Sequence, residues 1–139
     1  MPKIRIVLIS CVSVKLPHRA LVKDLYISPL FKLNMKYAKK LQPDKIFVLS
    51  ALYGLLDLEQ DIEPYEKTLN KMGVVESREW AARVLSQINE VCEINETEFT
   101  FLAGEKYRKY LLPGMPNVHI PLKGLGIGKQ LRKLKELTS

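Results

Sequence analysis

The first stretch of the sequence that is equipped for chemistry follows a short apolar run at residues 45–49. That run is rich in strand-forming residues, and Ser50, Tyr53 and Gly54 come directly after it. A hydroxyl, a phenol and a flexible glycine can hold a ligand together, and open α/β sheets bind ligands at the carboxyl ends of their strands. The pattern therefore predicts that Ser50 and Tyr53 bind substrate. A tyrosine that only covers the core is the alternative.

A candidate nucleophile follows the apolar run at residues 3–10, which predicts the first strand. Ser10 and Cys11 end that run, and Lys15 lies four residues after the cysteine. A thiolate near a cation can act as a nucleophile, and so can a lysine that is shielded from water. We therefore name Cys11 and Lys15 as catalytic candidates and Ser10 as a substrate contact. A buried cysteine beside a solvated lysine would show the same spacing.

A carboxylate, a phenol and a hydroxyl stand just before a predicted helix. Ser28 is suited to cap that helix and Pro29 to begin it, and apolar residues at helical spacing continue it to residue 41. Asp24 is the third catalytic candidate, because a carboxylate can orient a substrate or act as a base. It can equally cap the helix or pair with a nearby basic residue. Tyr26 and Ser28 are predicted substrate contacts, and either Tyr26 or Tyr53 would face the base. Tyr53 and Tyr65 could stack on a base or simply cover the core.

Glycines mark two further strand ends. Gly104 follows the apolar run at residues 98–102, and Gly124, Gly126 and Gly128 precede the last predicted helix. Glycines let backbone N–H groups approach an anion, and a helix N-terminus adds a favourable partial charge. All four are therefore predicted substrate contacts, with phosphate as the ligand of the glycine-rich turn. A turn that needs a positive φ is the alternative, because the pattern is neither a Walker loop nor a dinucleotide fingerprint.

Predicted strands and helices alternate along the chain. Strands are expected at residues 3–10, 45–50, 98–102 and 117–120, and helices at 29–41, 77–93, 107–112 and 129–137. Ser77 is the expected N-cap of the second helix, whose apolar stripe places Trp80 and Cys92 in the core. Residues 11–27 and 51–75 are expected to form long connections, with room for one more short strand at 57–75.

This alternation predicts the fold class and the location of the site. We expect a single α/β domain over residues 1–139, in which three layers surround a mostly parallel sheet of four or five strands in a Rossmann-like arrangement. Parallel strands bring their carboxyl ends to the same edge of the sheet. The candidate residues at the strand ends should therefore meet at that edge.

The composition is close to that of an ordinary globular protein, with 139 residues of which 47% are hydrophobic and 27% charged. No apolar run is long enough to span a membrane, and the N-terminal run predicts a strand rather than a signal peptide. Two cysteines in different predicted elements favour the reducing cytoplasm over a disulfide framework. No cysteine or histidine pair has zinc-ligand spacing, so we expect neither a metal nor another cofactor.

The net charge of +7 is unevenly distributed. Residues 1–40 contain nine Lys and Arg against one acid, residues 41–97 five against eleven, and residues 98–139 eight against three. Basic surfaces attract phosphates and nucleic acids. A nucleotide or a nucleic acid is therefore the expected partner, although lysines that are only solvated on helix faces would give the same count.

Seven motifs in one order along nearly the whole chain resemble a bacterial and phage family of unknown function, DUF6884. They are Cys11-x3-Lys15, Pro17-x2-Ala20, Asp24-Leu25-Tyr26-x-Ser28-x2-Phe31, Leu49-Ser50-Ala51-x-Tyr53-Gly54-Leu55, Pro64-Tyr65, Leu102-Ala103-Gly104-x2-Tyr107 and Pro121-Leu122-x-Gly124-Leu125-Gly126-Ile127-Gly128. The family is distantly similar to the peroxide-stress protein YaaA and to DpdC, an enzyme of deazaguanine DNA modification. The resemblance implies a site at the strand ends and a substrate related to a nucleobase.

Two functions from different classes follow from these patterns. The leading hypothesis is a small enzyme that acts on a nucleotide or on a nucleobase in nucleic acid, with deazaguanine-type modification as one form of that reaction. The alternative is a non-catalytic nucleic-acid-binding protein of stress response or phage biology, which would use the basic helices at both ends of the chain. A third hypothesis is a partner-binding module that uses the acidic stretch at residues 57–66.

Overall fold

The computed structural model describes residues 3–10 and 14–139. Its strands are β1 (Ile4–Ser10), β2 (Ala20–Leu21), β3 (Lys45–Ser50), β4 (Gly54–Asp57), β5 (Asp61–Ile62), β6 (Thr97–Leu102) and β7 (Val118–His119). Its helices are α1 (Val22–Leu25), α2 (Pro29–Lys40), α3 (Val74–Val91), α4 (Glu105–Arg108) and α5 (Ile127–Thr138). Short 3₁₀ turns occupy Leu69–Lys71, Ile94–Glu96 and Leu112–Gly114.

A five-stranded sheet forms the centre of the fold, in the order β4-β3-β1-β6-β7. The central strand β1 pairs in parallel with β3 and β6, and β6 pairs in parallel with β7. Leu8 and Ile9 of β1 are fully buried, as expected for a strand that is covered on both faces. The α/β class and a mostly parallel sheet of five strands are therefore confirmed.

Strand β4 forms one edge of the sheet and runs antiparallel to β3. Ser50 pairs with Gly54 across the turn, so residues 51–53 alone connect the two strands. That connection is far too short for the crossover that parallel strands require. Gly54 has a φ of +77°, a left-handed conformation that glycine adopts without strain. The additional short strand that the sequence allows at 57–75 corresponds to β5, whereas β4 was not predicted and lies in the expected connection at residues 51–75.

The segment that precedes α2 is not the plain loop that the sequence predicts. Strand β2 pairs antiparallel with β5, helix α1 follows directly, and Lys15 forms a bridge with Tyr26. Val22 and Leu25 are fully buried. Burying them requires partners for the adjacent backbone, and Val22 N donates to Gln60 O at 2.8 Å. These pairings hold residues 14–27 against the chain that follows β4.

Helix α3 begins before its predicted N-cap. Gly73 is the N-cap, and Ser77 lies inside the helix, where its backbone N–H donates to Gly73 O at 3.0 Å. The apolar stripe does not reveal this start because Val74 and Val75 are exposed. Trp80 lies in the core as predicted.

The remaining helix boundaries differ from the prediction by a few residues. Cys92, predicted to lie in the core, is only half-buried. The short helix α4 overlaps the predicted residues 107–112 but begins at Glu105 and ends at Arg108, and α5 begins at Ile127 rather than at residue 129. Helices α2 and α5 pack against each other, α2 also contacts β1, and α3 contacts β4. None of the helices in the described part of the chain has both the length and the apolar character needed to cross a bilayer.

Candidate functional site

A cavity of about 800 Å³ opens at the carboxyl ends of β1 and β6. Its volume falls within the range of about 300–1,000 Å³ that is typical of small-molecule sites. Four sequence-predicted site residues line it, namely Ser10, Lys15, Ser28 and Gly104. The other residues of its wall are Pro29, Leu30, Asn34, Tyr65, Glu66, Lys67, Thr68, Asn70, Lys71, Leu102, Ala103, Glu105, Lys106, Tyr107, Ile127, Gln130 and Leu131.

Two neighbouring strands deliver the first predicted pair of side chains. Ser10 ends β1, Gly104 follows the end of β6, and the Gly104 N–H donates to Ser10 Oγ at 3.3 Å. Since β1 and β6 are adjacent and parallel, their ends lie side by side at the same edge. The sequence-based expectation that strand ends gather polar groups at this edge therefore agrees with the positions of these two residues.

The wall of the cavity is rich in cationic side chains. Four lysines line it, and only two of the lining residues are acidic. The lysines are Lys15, Lys67, Lys71 and Lys106, and the acidic residues are Glu66 and Glu105. Lys67 also forms an ion pair of 3.5 Å with Glu76 on α3. An excess of lysines in a concave surface concentrates anions there, because the surrounding protein focuses the field.

Tyr65 joins the cavity to a chain of hydroxyl groups behind its wall. Its hydroxyl lies 2.7 Å from Tyr26 Oη and 2.7 Å from Ser50 Oγ. Ser50 Oγ accepts hydrogen bonds from Leu52 N (3.3 Å) and Tyr53 N (3.1 Å). Both acceptor positions of Ser50 are thereby used, so its proton is donated to Tyr65. The strand end at Ser50 thus fixes the direction of its bond to Tyr65, whereas either hydroxyl can donate between Tyr65 and Tyr26.

Lys15 lies between the cavity and these aromatic rings. Its Nζ is 4.6 Å from the centre of the Tyr65 ring and 5.8 Å from that of Tyr26. The bridge between Lys15 and Tyr26 holds the lysine backbone in place. A cation at such distances from a ring face is electrostatically attracted to it. Tyr53 packs edge-on against Tyr65, with ring centres 5.5 Å apart.

Asn34 on α2 is a buried polar residue in the wall of the cavity. Its side chain and backbone together are 4% exposed, and its Oδ1 has no hydrogen-bond partner among residues 3–10 and 14–139. More than nine in ten buried polar groups in proteins have such a partner, and each exception calls for a physical reason. An amide in the wall of a cavity has one, because a ligand can supply the missing hydrogen bond.

The first turns of two helices border the cavity. Ser28 caps α2 as predicted, since its Oγ accepts from Phe31 N at 3.2 Å. Helix α5 begins at Ile127, which lines the cavity and is largely exposed. The N–H groups of the first helical turn have no intrahelical acceptors and favour negative charge.

The three glycines of the glycine-rich turn lie beside this helix start and not in the cavity wall. Gly124 has a φ of +79°, so the turn does require a left-handed residue. Gly126 is the N-cap of α5 and Gly128 lies in its first turn. The positive-φ alternative therefore explains Gly124, while Gly126 and Gly128 remain next to the exposed helix start.

One catalytic candidate, Asp24, does not join the cavity wall. It is exposed on α1 and lines a separate pocket of about 320 Å³, together with Tyr26, Ile27, Phe31 and neighbouring residues. Cys11 lies outside the described residues. Of the two catalytic candidates that the structure describes, Lys15 is the one that lines the cavity.

Three charged groups with shifted pKa values lie outside the cavity wall. Hydrogen bonds from Arg19 to Glu63 and to Asp61 raise the pKa of Arg19, and Glu59 raises the pKa of Lys23. The pKa of Asp57 is lowered, first because the backbone N–H of Glu59 donates to its carboxylate and then because Lys45 lies beside it. Much of the acidic stretch at residues 57–66 is thus paired with basic side chains of the same chain.

Sequence reasoning alone did not select several residues of the wall. Asn34 had a detectable signal, because it lies four residues after Leu30 and four before Ala38, within the apolar stripe of α2. Lys71 and Lys106 had no local signal, because they come from segments far apart in the sequence. The sequence offers Tyr65 as a residue that could stack on a base, but it follows Pro64 in a turn, where nothing in the local pattern indicates that its hydroxyl reaches Ser50.

The described ranges, 3–10 and 14–139, contain no cluster of three or more His, Cys, Asp or Glu residues that could hold a metal ion. A family model matches residues 6–136 of the chain, and its description is a family of unknown function, DUF6884. No curated protein and no solved structure matches the sequence.

Proposed function

The chain belongs to the DUF6884 family, and from that premise we propose that it is a small enzyme acting on a nucleotide or on a nucleobase in nucleic acid. One observation carries the proposal: a cavity at the carboxyl edge of the sheet combines four lysines, a tyrosine linked to further hydroxyls and a buried amide. In this combination the lysines are candidate partners for a phosphate, the tyrosine is one for a base, and the linked hydroxyl groups are candidates for proton transfer.

The phosphate would lie where the lysines and the helix starts meet. Lys71 and Lys106 line the cavity, and the first turns of α2 and α5 border it. Anions bind at helix N-termini because unpaired N–H groups and the helix dipole both favour negative charge. Gly126 and Gly128, beside the start of α5, would leave the backbone there open to a phosphate oxygen.

The base would lie against Tyr65, with Lys15 as the adjacent cation. Aromatic rings provide stacking surfaces for nucleobases. The Tyr65 hydroxyl accepts a hydrogen bond from Ser50 Oγ and lies within hydrogen-bond distance of Tyr26 Oη, so this chain of hydroxyl groups could pass a proton. Tyr65 and Lys15 would thus serve as the proton-transfer pair, and Cys11, which directly follows Ser10, remains the candidate nucleophile.

The proposal includes two finer statements about fold and kinship. Helices α2 and α5 would form one layer over the sheet and α3 the other, which would give the three-layer, Rossmann-like arrangement; the packing of α2 on α5 supports this.

A relation to YaaA and to the deazaguanine enzyme DpdC would make a modified purine base the substrate. The order of the sequence motifs supports membership of the family, and the relation to these two proteins follows only from the family's distant similarity to them.

The test is isothermal titration of the protein with the 5′-monophosphates of adenosine, guanosine, cytidine and uridine. Replacing Lys15 by Met removes one charge-assisted contact, so the best-binding nucleotide should bind about tenfold more weakly or worse. The melting temperature should stay nearly the same. Binding of none of the four nucleotides by the unmodified protein would contradict the proposal.

Lys109→Met is the matched control for Lys15→Met. Lys109 also lies over a tyrosine ring, with its Nζ 5.5 Å from the centre of Tyr110, but it does not line the cavity. The control removes the same charge and a similar ring contact, and it should leave nucleotide affinity unchanged. Equal losses in the two variants would show that net charge, and not the cavity, governs binding.

A specific surface favours the alternative of non-catalytic nucleic-acid binding. Helices α2 and α5 pack against each other, and all eight of their basic residues are exposed. Seven of them form the surface that the alternative uses: Lys32, Lys36, Lys39, Lys40, Arg132, Lys133 and Lys135. Two of these also bind backbone carbonyls, with Lys40 donating to Leu137 O and Lys133 to Pro121 O. We call these seven residues the basic helix pair. Such a surface would bind the phosphate backbone without base specificity.

A further inference from the structure

We propose that Asn34 is the residue that recognises the base in the cavity, by presenting its amide to a hydrogen-bond donor on the base edge. This inference rests on the proposed function and identifies the part of the nucleotide that the site selects. It makes Asn34 a specificity-determining residue and assigns it no part in the proton transfer attributed to Tyr65 and Lys15.

The position of Asn34 within α2 is costly for a residue with only a structural role. Phe31, Met35 and Ala38 of the same helix are buried apolar side chains. A buried amide oxygen that lacks a partner destabilises the folded chain, whereas an apolar side chain of similar size would pack there without that penalty. The helix therefore carries at this point a polar group that no described residue satisfies, in the wall of a cavity where a bound molecule can supply a partner.

The unpartnered atom is the amide oxygen of Asn34, and its chemistry limits which groups of a bound molecule can form a hydrogen bond with it. Oδ1 accepts hydrogen bonds and cannot donate them, so its partner must carry an N–H or O–H group. The oxygens of an ionised phosphate accept hydrogen bonds as well, so they cannot satisfy it. A base edge presents an amino or imino donor beside an acceptor, and an asparagine amide matches that pair with its own oxygen and nitrogen.

The arrangement of the cavity agrees with this division of roles. Ser28 and Pro29 at the start of α2 lie more than one helical turn before Asn34, and all three line the same cavity. A nucleotide whose phosphate lies near the helix start would extend its sugar and base along α2 toward Asn34. Tyr65, on the cavity wall as well, would then be available to stack on the base.

The experiment compares binding of a nucleotide with binding of its base-free part. The unmodified protein, Asn34→Leu and Asn34→Ala are titrated with the four nucleoside 5′-monophosphates and with ribose 5-phosphate, and their melting temperatures are recorded. Leucine keeps the volume of the side chain, and alanine avoids any clash that leucine introduces. We expect the best-binding nucleotide to lose about tenfold or more in affinity in both variants.

Two further readouts separate recognition from a structural role. Ribose 5-phosphate, which has no base, should change by less than about twofold, because a contact to the base is all that is removed. The melting temperature of Asn34→Leu should equal or exceed that of the unmodified protein, since an unsatisfied buried oxygen has been replaced by an apolar group. A structural role would instead lower the melting temperature and weaken both ligands together.

The outcomes of the experiment distinguish this inference from the proposed function. If the unmodified protein binds a nucleotide and both variants bind it equally well, Asn34 does not recognise the base, while the proposed function stands. If ribose 5-phosphate weakens as much as the nucleotide, the amide contacts the sugar or supports the fold, and the inference is overturned. If the unmodified protein binds no nucleotide, the proposed function and this inference both fail.

Discussion

The two edges of the parallel sheet differ at one buried polar residue each, Thr97 where the strands begin and Asn34 where they end. At the edge where the strands begin, Thr97 is fully buried and its hydroxyl donates to Glu93 O at 2.7 Å. Arg5 and Asp44 are joined there by two bonds, from Arg5 N to Asp44 Oδ2 (2.7 Å) and from Asp44 N to Arg5 O (2.8 Å). At the edge where the strands end, the cavity contains an amide oxygen with no partner among the described residues.

Helix α2 shows this difference within one element. Its C-terminal end is tied to the first edge, where the Arg5 guanidinium donates to Leu41 O. Its N-terminal end borders the cavity, and Asn34 lies between the two. Both ends of the helix have contacts within the protein, since Ser28 Oγ accepts from Phe31 N at the N-terminal end. The two edges differ at Asn34, whose amide oxygen has no partner among the described residues.

The largest expected effect tests whether the cavity edge also receives a nucleic acid. A strand that places a base in the cavity must pass the start of α2, so Lys32→Glu combined with Lys36→Glu should weaken binding of a single-stranded oligonucleotide. The association constant should fall by more than about tenfold. The plot of its logarithm against the logarithm of the salt concentration should become less steep by about two, because two phosphate contacts are removed. Fluorescence anisotropy over a potassium chloride series measures both quantities.

The matched control lies at the other end of the same helix. Lys39→Glu combined with Lys40→Glu gives the same net charge, but these residues are next to the edge where the strands begin. We expect this pair to have the smaller effect. Equal losses from both pairs would mean that nucleic acid binds along the whole basic helix pair, as in the non-catalytic alternative, and would contradict a special role for the cavity edge.

A smaller effect is expected from Thr97, which is the counterpart of Asn34 at the opposite edge. Thr97→Val removes the hydroxyl with little change of shape and should lower the free energy of unfolding by about 1 kcal/mol. The loss stays small because Glu93 O also accepts from Glu96 N at 3.0 Å. Urea unfolding measures it, and nucleotide affinity should not change. A stability loss for Asn34→Leu as large as that for Thr97→Val would remove the contrast between the edges.

The sequence predicted the main elements of the fold because each has a strong local pattern. Continuous apolar runs marked β1, β3 and β6, and Ser28-Pro29 with helical spacing marked α2. Alternation then placed Ser10 and Gly104 at one edge, as found. Weak local patterns gave the errors: Ser77 was an apparent cap, but α3 begins at Gly73, with two exposed valines that form no stripe.

The site was less predictable because its contacts join distant parts of the chain. Tyr65 reaches Ser50 and Tyr26, which are 15 and 39 residues away in the sequence. Asp24 was chosen for its place before a helix, yet it faces a different pocket, because α1 and the bridge at Lys15 reshape the segment around it. Local spacing cannot indicate such approaches, since they depend on how β2 pairs with β5.

The smallest expected effect concerns Asp57, which pairs at the edge where the strands begin. Its Oδ1 accepts from Glu59 N at 3.0 Å and its Oδ2 from Lys45 Nζ at 3.2 Å, so the pKa of Asp57 is lowered in the folded chain. A lowered pKa stabilises the fold above the unfolded value of about 3.9, and this contribution disappears as the pH falls through the lower folded value. Asp57→Asn removes the charge but keeps an acceptor for Glu59 N. It should cost less than about 1 kcal/mol at neutral pH, because both partners are partly exposed to solvent.

Urea unfolding of Asp57→Asn and of the unmodified protein between neutral pH and about pH 2 tests this linkage. The difference in unfolding free energy should be constant above about pH 5 and should vanish at the acidic end. Lys45→Met serves as the control, because it removes the cation and leaves the bond from Glu59 N, which is the larger cause of the shift. It should therefore have the smaller effect. Two results would contradict this expectation: a difference in unfolding free energy that grows as the pH falls, or a larger loss of stability in Lys45→Met than in Asp57→Asn. Either would show that the backbone N–H of Glu59 does not stabilise the Asp57 carboxylate. Asp57 would then no longer contrast with the unpartnered amide of Asn34.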